Sequence, residues 1–153
     1  MTWLELKIPP LIVTLVIIAL MYFTKTLFPT FGFPQNMATL FALLVLICAL
    51  VFILMAIKVF REHKTTLDPR LPFKTTAVVE TGIFGVTRNP MYVGMIMIVG
   101  AVGLYWQHSG FIIFVAITMM YLHFLQVLPE EHLLIKKHGE QYKVYQDKVP
   151  RWF

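Results

Sequence analysis

The chain has 153 residues, of which 58% are hydrophobic and only 14% charged, with a formal net charge of +5. An ordinary soluble domain carries roughly 25% charged residues, so a water-soluble surface of this size is excluded. Disorder is excluded too, because it needs low hydrophobicity and high net charge. What remains is one small integral membrane domain over residues 1–153. Residues 8–24, 26–57 and 89–129 carry no charge at all. A membrane helix needs about 20 mostly apolar residues. The first gap therefore fits one span, the second a span plus a loop, and the third a helical hairpin.

The first helix is predicted over residues 9–27. Lys7 precedes it, but no A-x-A-like cleavage site follows and more spans come after, so it reads as a retained span. Pro9 and Pro10 suit a first turn, where a missing N–H costs nothing. Residues 28–34 hold two prolines, a glycine and three phenylalanines, which predicts a loop buried at the interface. Asn36 is placed to cap a second helix over 37–60. Cys48 sits in its apolar run and reads as a small buried hydrophobe. Neither helix shows a polar stripe, as expected where lipid and protein neighbours are both apolar.

From Arg61 to Arg88 five Lys/Arg, three acids, two Pro and two Gly mark an extramembrane loop. A third helix is predicted from Asn89-Pro90 to about Trp106, a tight turn over Gln107–Gly110, and a fourth helix over 111–128. The third is only about 24 Å long at 1.5 Å per residue, short for a hydrocarbon core of about 30 Å. Gly94, Gly100 and Gly103 read as close-packing positions. Met91, Met95, Met97, Met119 and Met120 read as core filler. Pro129 marks the exit into a polar tail, helical in two pieces broken near Gly139. The expected fold is all-α: four transmembrane helices, the last two a hairpin, with a loop and a helical tail.

Lys7, the basic residues from Lys58 to Arg88 and those of the tail fall on one side; Lys25 alone flanks the other. By the excess of Lys/Arg on cytoplasmic loops, both termini, the loop and the tail are expected to face the cytoplasm from an inner (plasma) membrane. The positive charge then meets anionic headgroups and is no sign of nucleic-acid binding.

Three clusters stand at the cytoplasmic ends of the hairpin. In the first, Asn89 and Pro90 suit an N-cap and a first helical residue, which leaves Arg88 to explain. It either snorkels or, with the helix N-terminal N–H groups, holds a carboxylate or phosphate. In the second, Glu130 and Glu131 either complement a helix dipole, bind a ligand ammonium or position a nucleophile. A hairpin returns both its ends to one face, so Arg88 and the Glu pair are expected close together. In the third, Tyr142 and Tyr145 belong to an interfacial helix or stack on a purine. The five histidines have no metal-ligand spacing. No Walker loop or Ser/His/Asp pattern occurs, and Gly82-x-x-Gly85 is not a dinucleotide fingerprint.

Taken in order, TTLDP, TGIFGVTRNPMYVG, an apolar hairpin and EEHLLIKKHGEQYKVYQDKVPRWF closely resemble the isoprenylcysteine carboxyl methyltransferase and phospholipid methyltransferase superfamily over residues 60–153. The family's RHPxYxG-like segment is matched by Arg88-Asn89-Pro90-Met91-Tyr92-Val93-Gly94. Asn89 stands in place of the common His, a departure from the eukaryotic prenyl-cysteine enzymes. Glu130-Glu131, the trio Gly139, Tyr142 and Tyr145, and the terminal pair Arg151-Trp152 match the rest.

The resemblance implies a membrane enzyme that uses S-adenosylmethionine at the cytoplasmic face. It implies Arg88 holding the methionyl carboxylate or a substrate anion, and Glu130 or Glu131 holding the methionyl ammonium or orienting the acceptor. Gly82, Asn89, Pro90, Tyr92, Gly94, Tyr142 and Tyr145 would surround the cofactor. The acceptor would be lipophilic, whether a lipid amine, an isoprenoid-linked carboxylate or a small hydrophobic thiol or acid. If a carboxylate attacks the sulfonium methyl, charge is neutralised in the transition state, which a dry pocket favours. Two other readings are an NADPH-dependent membrane reductase with a similar hairpin and tail, and a non-enzymatic scaffold. The scaffold leaves the convergence of Arg88, the Glu pair and the tyrosines unexplained.

Overall fold

The computed structural model describes residues 6–63 and 78–153. The TTLDP run, Lys64, Arg70 and Lys74 lie outside them. In chain order come α1 (Pro10–Thr24), a 3-10 turn (Lys25–Leu27), α2 (Gln35–Glu62), a second 3-10 turn (Gly82–Gly85) and α3 (Pro90–Tyr105). Then follow α4 (Phe111–Leu122), a π-helical turn (His123–Val127), α5 (Leu128–His138) and α6 (Glu140–Lys148).

Among the described residues three helical stretches are long and apolar enough to cross a membrane: Pro10–Leu27, Gln35–Glu62 and Phe111–His138. Their outward side chains, among them Leu15, Phe23, Ile47, Leu54 and Ile112, are more than half exposed. A monomer in water does not carry such a belt; it is the lipid-facing surface of an integral membrane protein. Cys48, Met119 and Met120 belong to this surface, contrary to the expectation of burial. In lipid the outward positions are as apolar as the core, so hydrophobicity does not tell the two faces apart.

The shorter α3 is the central helix, packed against α2, α4 and α1. Its approach to α2 depends on small residues. Ala42, Ala49 and Ala56, one heptad apart, are buried on α2. A Cβ on Gly94 would lie 2.5 Å from Ile53 Cγ1 and 2.9 Å from the Ala49 carbonyl. Gly103 meets Phe111 just as closely, whereas a Cβ on Gly100 would make only ordinary contact with Val115 at 3.8 Å. Gly100 is therefore not a close-packing position.

Among the described residues one end of the bundle is uncharged apart from Lys25. There the turn between α3 and α4 meets the Phe-rich loop: Phe31 N–H donates to Gln107 O at 3.2 Å and Ser109 N–H to Pro29 O at 3.2 Å. The His108 ring lies between Phe28 and Phe114, with centroids 4.8 and 5.6 Å away. α2 begins at Gln35, so Asn36 is no cap: its Oδ1 accepts only from Met37 N–H. Gln35 instead donates to Tyr105 O and accepts from Gln107.

At the other end, helix 4 does not stop at Pro129 as expected. It continues through the π turn into α5. Proline lacks the N–H that would reach the carbonyl four residues back, that of Leu125. The widened turn accommodates this, and Leu6 N–H donates to Leu125 O at 3.1 Å. Gln126 Nε2 adds a bond to Ile8 O at 3.0 Å, so the approach to α1 is pinned onto the π turn. The tail breaks at Gly139, whose φ of +57° ends α5 and starts α6.

Candidate functional site

Arg88 directly precedes Asn89, the N-cap position of α3, and Glu131 lies in the first turn of α5. The hairpin brings them together at 2.9 Å, and both side chains are under one-tenth exposed. Arg151 completes the arrangement from the tail. Its Nη2 is 2.6 Å from Glu131 Oε2 and its Nε is 3.1 Å from Oε1. Glu131 is thus shared by two guanidinium groups, with both oxygens engaged, a geometry that charge-assisted forks favour. The hydrogen bonds to Glu131, ahead of other effects, raise the Arg151 pKa.

The backbone holds this clamp in register. Arg88 N–H donates to Pro150 O at 3.0 Å, and Arg88 Nη1 donates to Gln146 O at 2.9 Å. Asn89 occupies the N-cap position of α3, yet its side chain makes no cap bond. It reaches the tail instead, donating to Arg151 O at 2.9 Å, and Thr87 Oγ1 donates to the same carbonyl at 3.1 Å. Pro90 is buried as the first residue of α3. The tail therefore lies across the mouth of the hairpin and is tied to it on both sides.

Glu130 differs from its neighbour. It accepts the Tyr92 hydroxyl at 3.0 Å and forms no ion pair among the described residues. Arg88 Nε is buried without a hydrogen-bond partner among them. A buried polar atom without a partner is costly and calls for a specific explanation, such as a bound ligand or water.

Tyr142 and Tyr145 meet edge-on at 5.8 Å and are buried with Val149, against Val78, Leu134 and Ile135. Tyr145 donates its hydroxyl to Phe84 O at 2.7 Å. Both rings thus join tail to loop, and neither presents a free face for stacking. Burial, then the Glu131 and Glu130 charges, raise the Tyr142 phenol well above its ordinary range; burial does the same for Tyr145. Gly82 has φ +60° and a Cβ there would meet Val59 Cγ2 at 3.0 Å. Gly82 and Gly94 both face α2 and do not touch the clamp.

The structure therefore brings Arg88, Asn89, Pro90, Tyr92, Glu130 and Glu131 to one mouth, with the tyrosine pair behind it. Arg151, matched above only as part of a terminal pair, is the second arm of the clamp. No sequence signal sets it apart from the tail's other basic residues. Exposed Lys58, Arg61, Lys136, Lys137, Lys143 and Lys148 ring the same end.

Fold and site together define a class: a small helical membrane protein with two arginines clamped on one buried carboxylate at its charged end. Residues 37–141 match the phospholipid methyltransferase family. The chain belongs to that family, which makes it a membrane methyltransferase. No curated protein and no solved structure matches it.

Proposed function

We propose that this single domain is an S-adenosylmethionine-dependent methyltransferase that modifies a lipophilic acceptor, an isoprenoid-linked carboxylate or a lipid amine, at the cytoplasmic face. In this reading α3 is a fourth, short span, and the Lys/Arg-rich end that carries the clamp, both termini and the loop faces the cytoplasm. The observation that carries the proposal is the contrast between the two carboxylates. Glu131 is fully engaged by arginines, while Glu130 has only a phenol among the described residues. Beside it the buried Nε of Arg88 has no partner among the described residues.

This donor set fits an amino-acid zwitterion, with the ammonium at Glu130 and the carboxylate toward Arg88. When bound, S-adenosylmethionine supplies a sulfonium methyl open to in-line displacement. The protein's part is to hold, orient and keep dry. Tyr92 fixes the Glu130 carboxylate, and the Arg88–Glu131–Arg151 clamp fixes α3, α5 and the tail around it. Asn89 and Pro90 set the approach of α3, Tyr142 and Tyr145 form the back wall, and Gly82 and Gly94 allow loop and helix to close on α2.

Purified protein titrated with S-adenosylhomocysteine and with NADPH is expected to bind the first and not the second. Glu130→Gln should weaken that binding at least tenfold, equivalent to about 1.4 kcal/mol, without moving the melting temperature. Unchanged affinity in both Glu130→Gln and Arg88→Ala would sink the proposal. Incubating membranes with methyl-labelled cofactor then identifies the acceptor.

A further inference from the structure

The contact between α3, α4 and the tail holds a second polar feature. Tyr92, Met95, Leu122 and Val127 form a buried cluster, and Tyr121 and Trp152 pack against it. Within these apolar surroundings, the Tyr121 hydroxyl and the Trp152 Nε1–H are both buried without a hydrogen-bond partner among the described residues. Tyr92 links this cluster to Glu130, so it adjoins the mouth described above. Trp152 is carried there by the tail, next in sequence to the clamping Arg151, and Phe153 beyond it rests edge-on against Phe52 of α2 at 5.9 Å.

Two orphaned polar atoms in one apolar cluster are costly unless something answers them. An indole N–H only donates, and a phenol donates readily. Two such donors packed against one apolar cluster suit an oxygen acceptor on a hydrocarbon chain. Neither group is needed for the zwitterion site, which Glu130 and Arg88 serve.

We propose that Tyr121 and Trp152 form the subsite for the methyl acceptor and hydrogen-bond an anionic oxygen, carboxylate or phosphate, borne on an apolar chain. This deepens the methyltransferase reading and rests on it. It makes the tail a part of the acceptor site as well as of the clamp: Arg151 sets the position of Trp152.

The test is titration of the whole protein in a neutral maltoside detergent with oleate, with dodecyl phosphate and with uncharged dodecanol. Wild-type protein should bind at least one anionic amphiphile about tenfold more tightly than dodecanol, and the pair separates carboxylate from phosphate. Tyr121→Phe removes only an oxygen and should cost that amphiphile about fivefold to tenfold in affinity. Trp152→Phe should do the same, and dodecanol binding should not change in either variant. S-adenosylhomocysteine affinity should also stay at the wild-type value in both. Equal binding of all three amphiphiles, or anion binding unaffected in Tyr121→Phe, overturns the acceptor subsite. Loss of S-adenosylhomocysteine affinity in the folded variants overturns it too, by giving these residues to the cofactor. Failure of wild-type protein to bind S-adenosylhomocysteine counts instead against the methyltransferase reading.

Discussion

The two ends of this helical bundle are closed by opposite means. At the clamp end, segments 43 and 20 residues apart in sequence are joined through one carboxylate, and chain-spanning hydrogen bonds bind the tail to the hairpin. At the other end the closure is two backbone bonds, a pair of glutamines and a stack of aromatic rings around His108. Burying charges at a membrane edge is expensive, and a hydrophobic closure of similar volume is often as stable or more so. The far end shows that this chain has the cheaper solution available. The ion clamp is therefore better explained by what it positions, namely Glu130, the α3 N-terminus and the tail, than by stability.

Breaking the clamp should give the largest effect. Glu131→Ala leaves Arg88, whose side chain is 8% exposed, without its counter-ion, and frees Arg151 as well. Removing one partner of a buried pair costs about 3–5 kcal/mol. A large drop in melting temperature in detergent is expected, together with loss of methyl transfer. A variant that melts with the wild type would mean that the arginines find water, and that the clamp is an exposed surface feature.

The tyrosines behind the clamp should respond to alkali. Burial raises the phenol pKa of Tyr142 and of Tyr145 in the folded chain, against about 10 when unfolded. The folded state thus holds these protons more tightly. The associated stability is fully present below about pH 10 and declines as pH rises above it, at up to about 1.4 kcal/mol per pH unit for each phenol. Melting temperatures measured from pH 8 upward should fall beyond pH 10, and Tyr142→Phe should flatten part of that fall. An identical profile in the variant would show that the ring is hydrated.

The same contrast explains what the sequence made legible. The long uncharged gaps located the first three helices and the start of the fourth to within a few residues, because a charge within a span is costly in any register; the fourth runs on ten residues beyond its expected end at 128, to His138. The meeting of Arg88 with Glu131 followed from hairpin logic alone. Three features stayed hidden. The π turn before Pro129 falls in a run with no polar stripe, so no periodicity marks its extra residue. The outward facing of Cys48 and Met119 was unreadable because lipid and core select the same side chains. The second arm of the clamp was hidden because Arg151 reaches Glu131 only through the folding back of the tail, a tertiary event that local propensity does not encode. Asn89 illustrates the same limit: its residue type and position read as a cap, but its side chain serves the tail.

The smallest effect is expected at the far end. His108 is 1% exposed and neither ring nitrogen has a hydrogen-bond partner among the described residues. Its surroundings are Phe28, Phe114 and the close-packed Gly110. A buried polar group left unpaired costs about 1–3 kcal/mol, and a leucine of similar volume makes no such demand. His108→Leu should therefore leave the melting temperature unchanged or raise it by a few degrees, with the methyl-transfer rate at the wild-type value. The comparison of the two ends makes this outcome asymmetric. An apolar substitution at the clamp is expected to remove function and stability together, whereas one at the aromatic closure touches neither the clamp nor Glu130. A His108→Leu protein that folds normally but loses methyl transfer would break the division, because it would place chemistry at the uncharged end and couple it through α3 to the mouth.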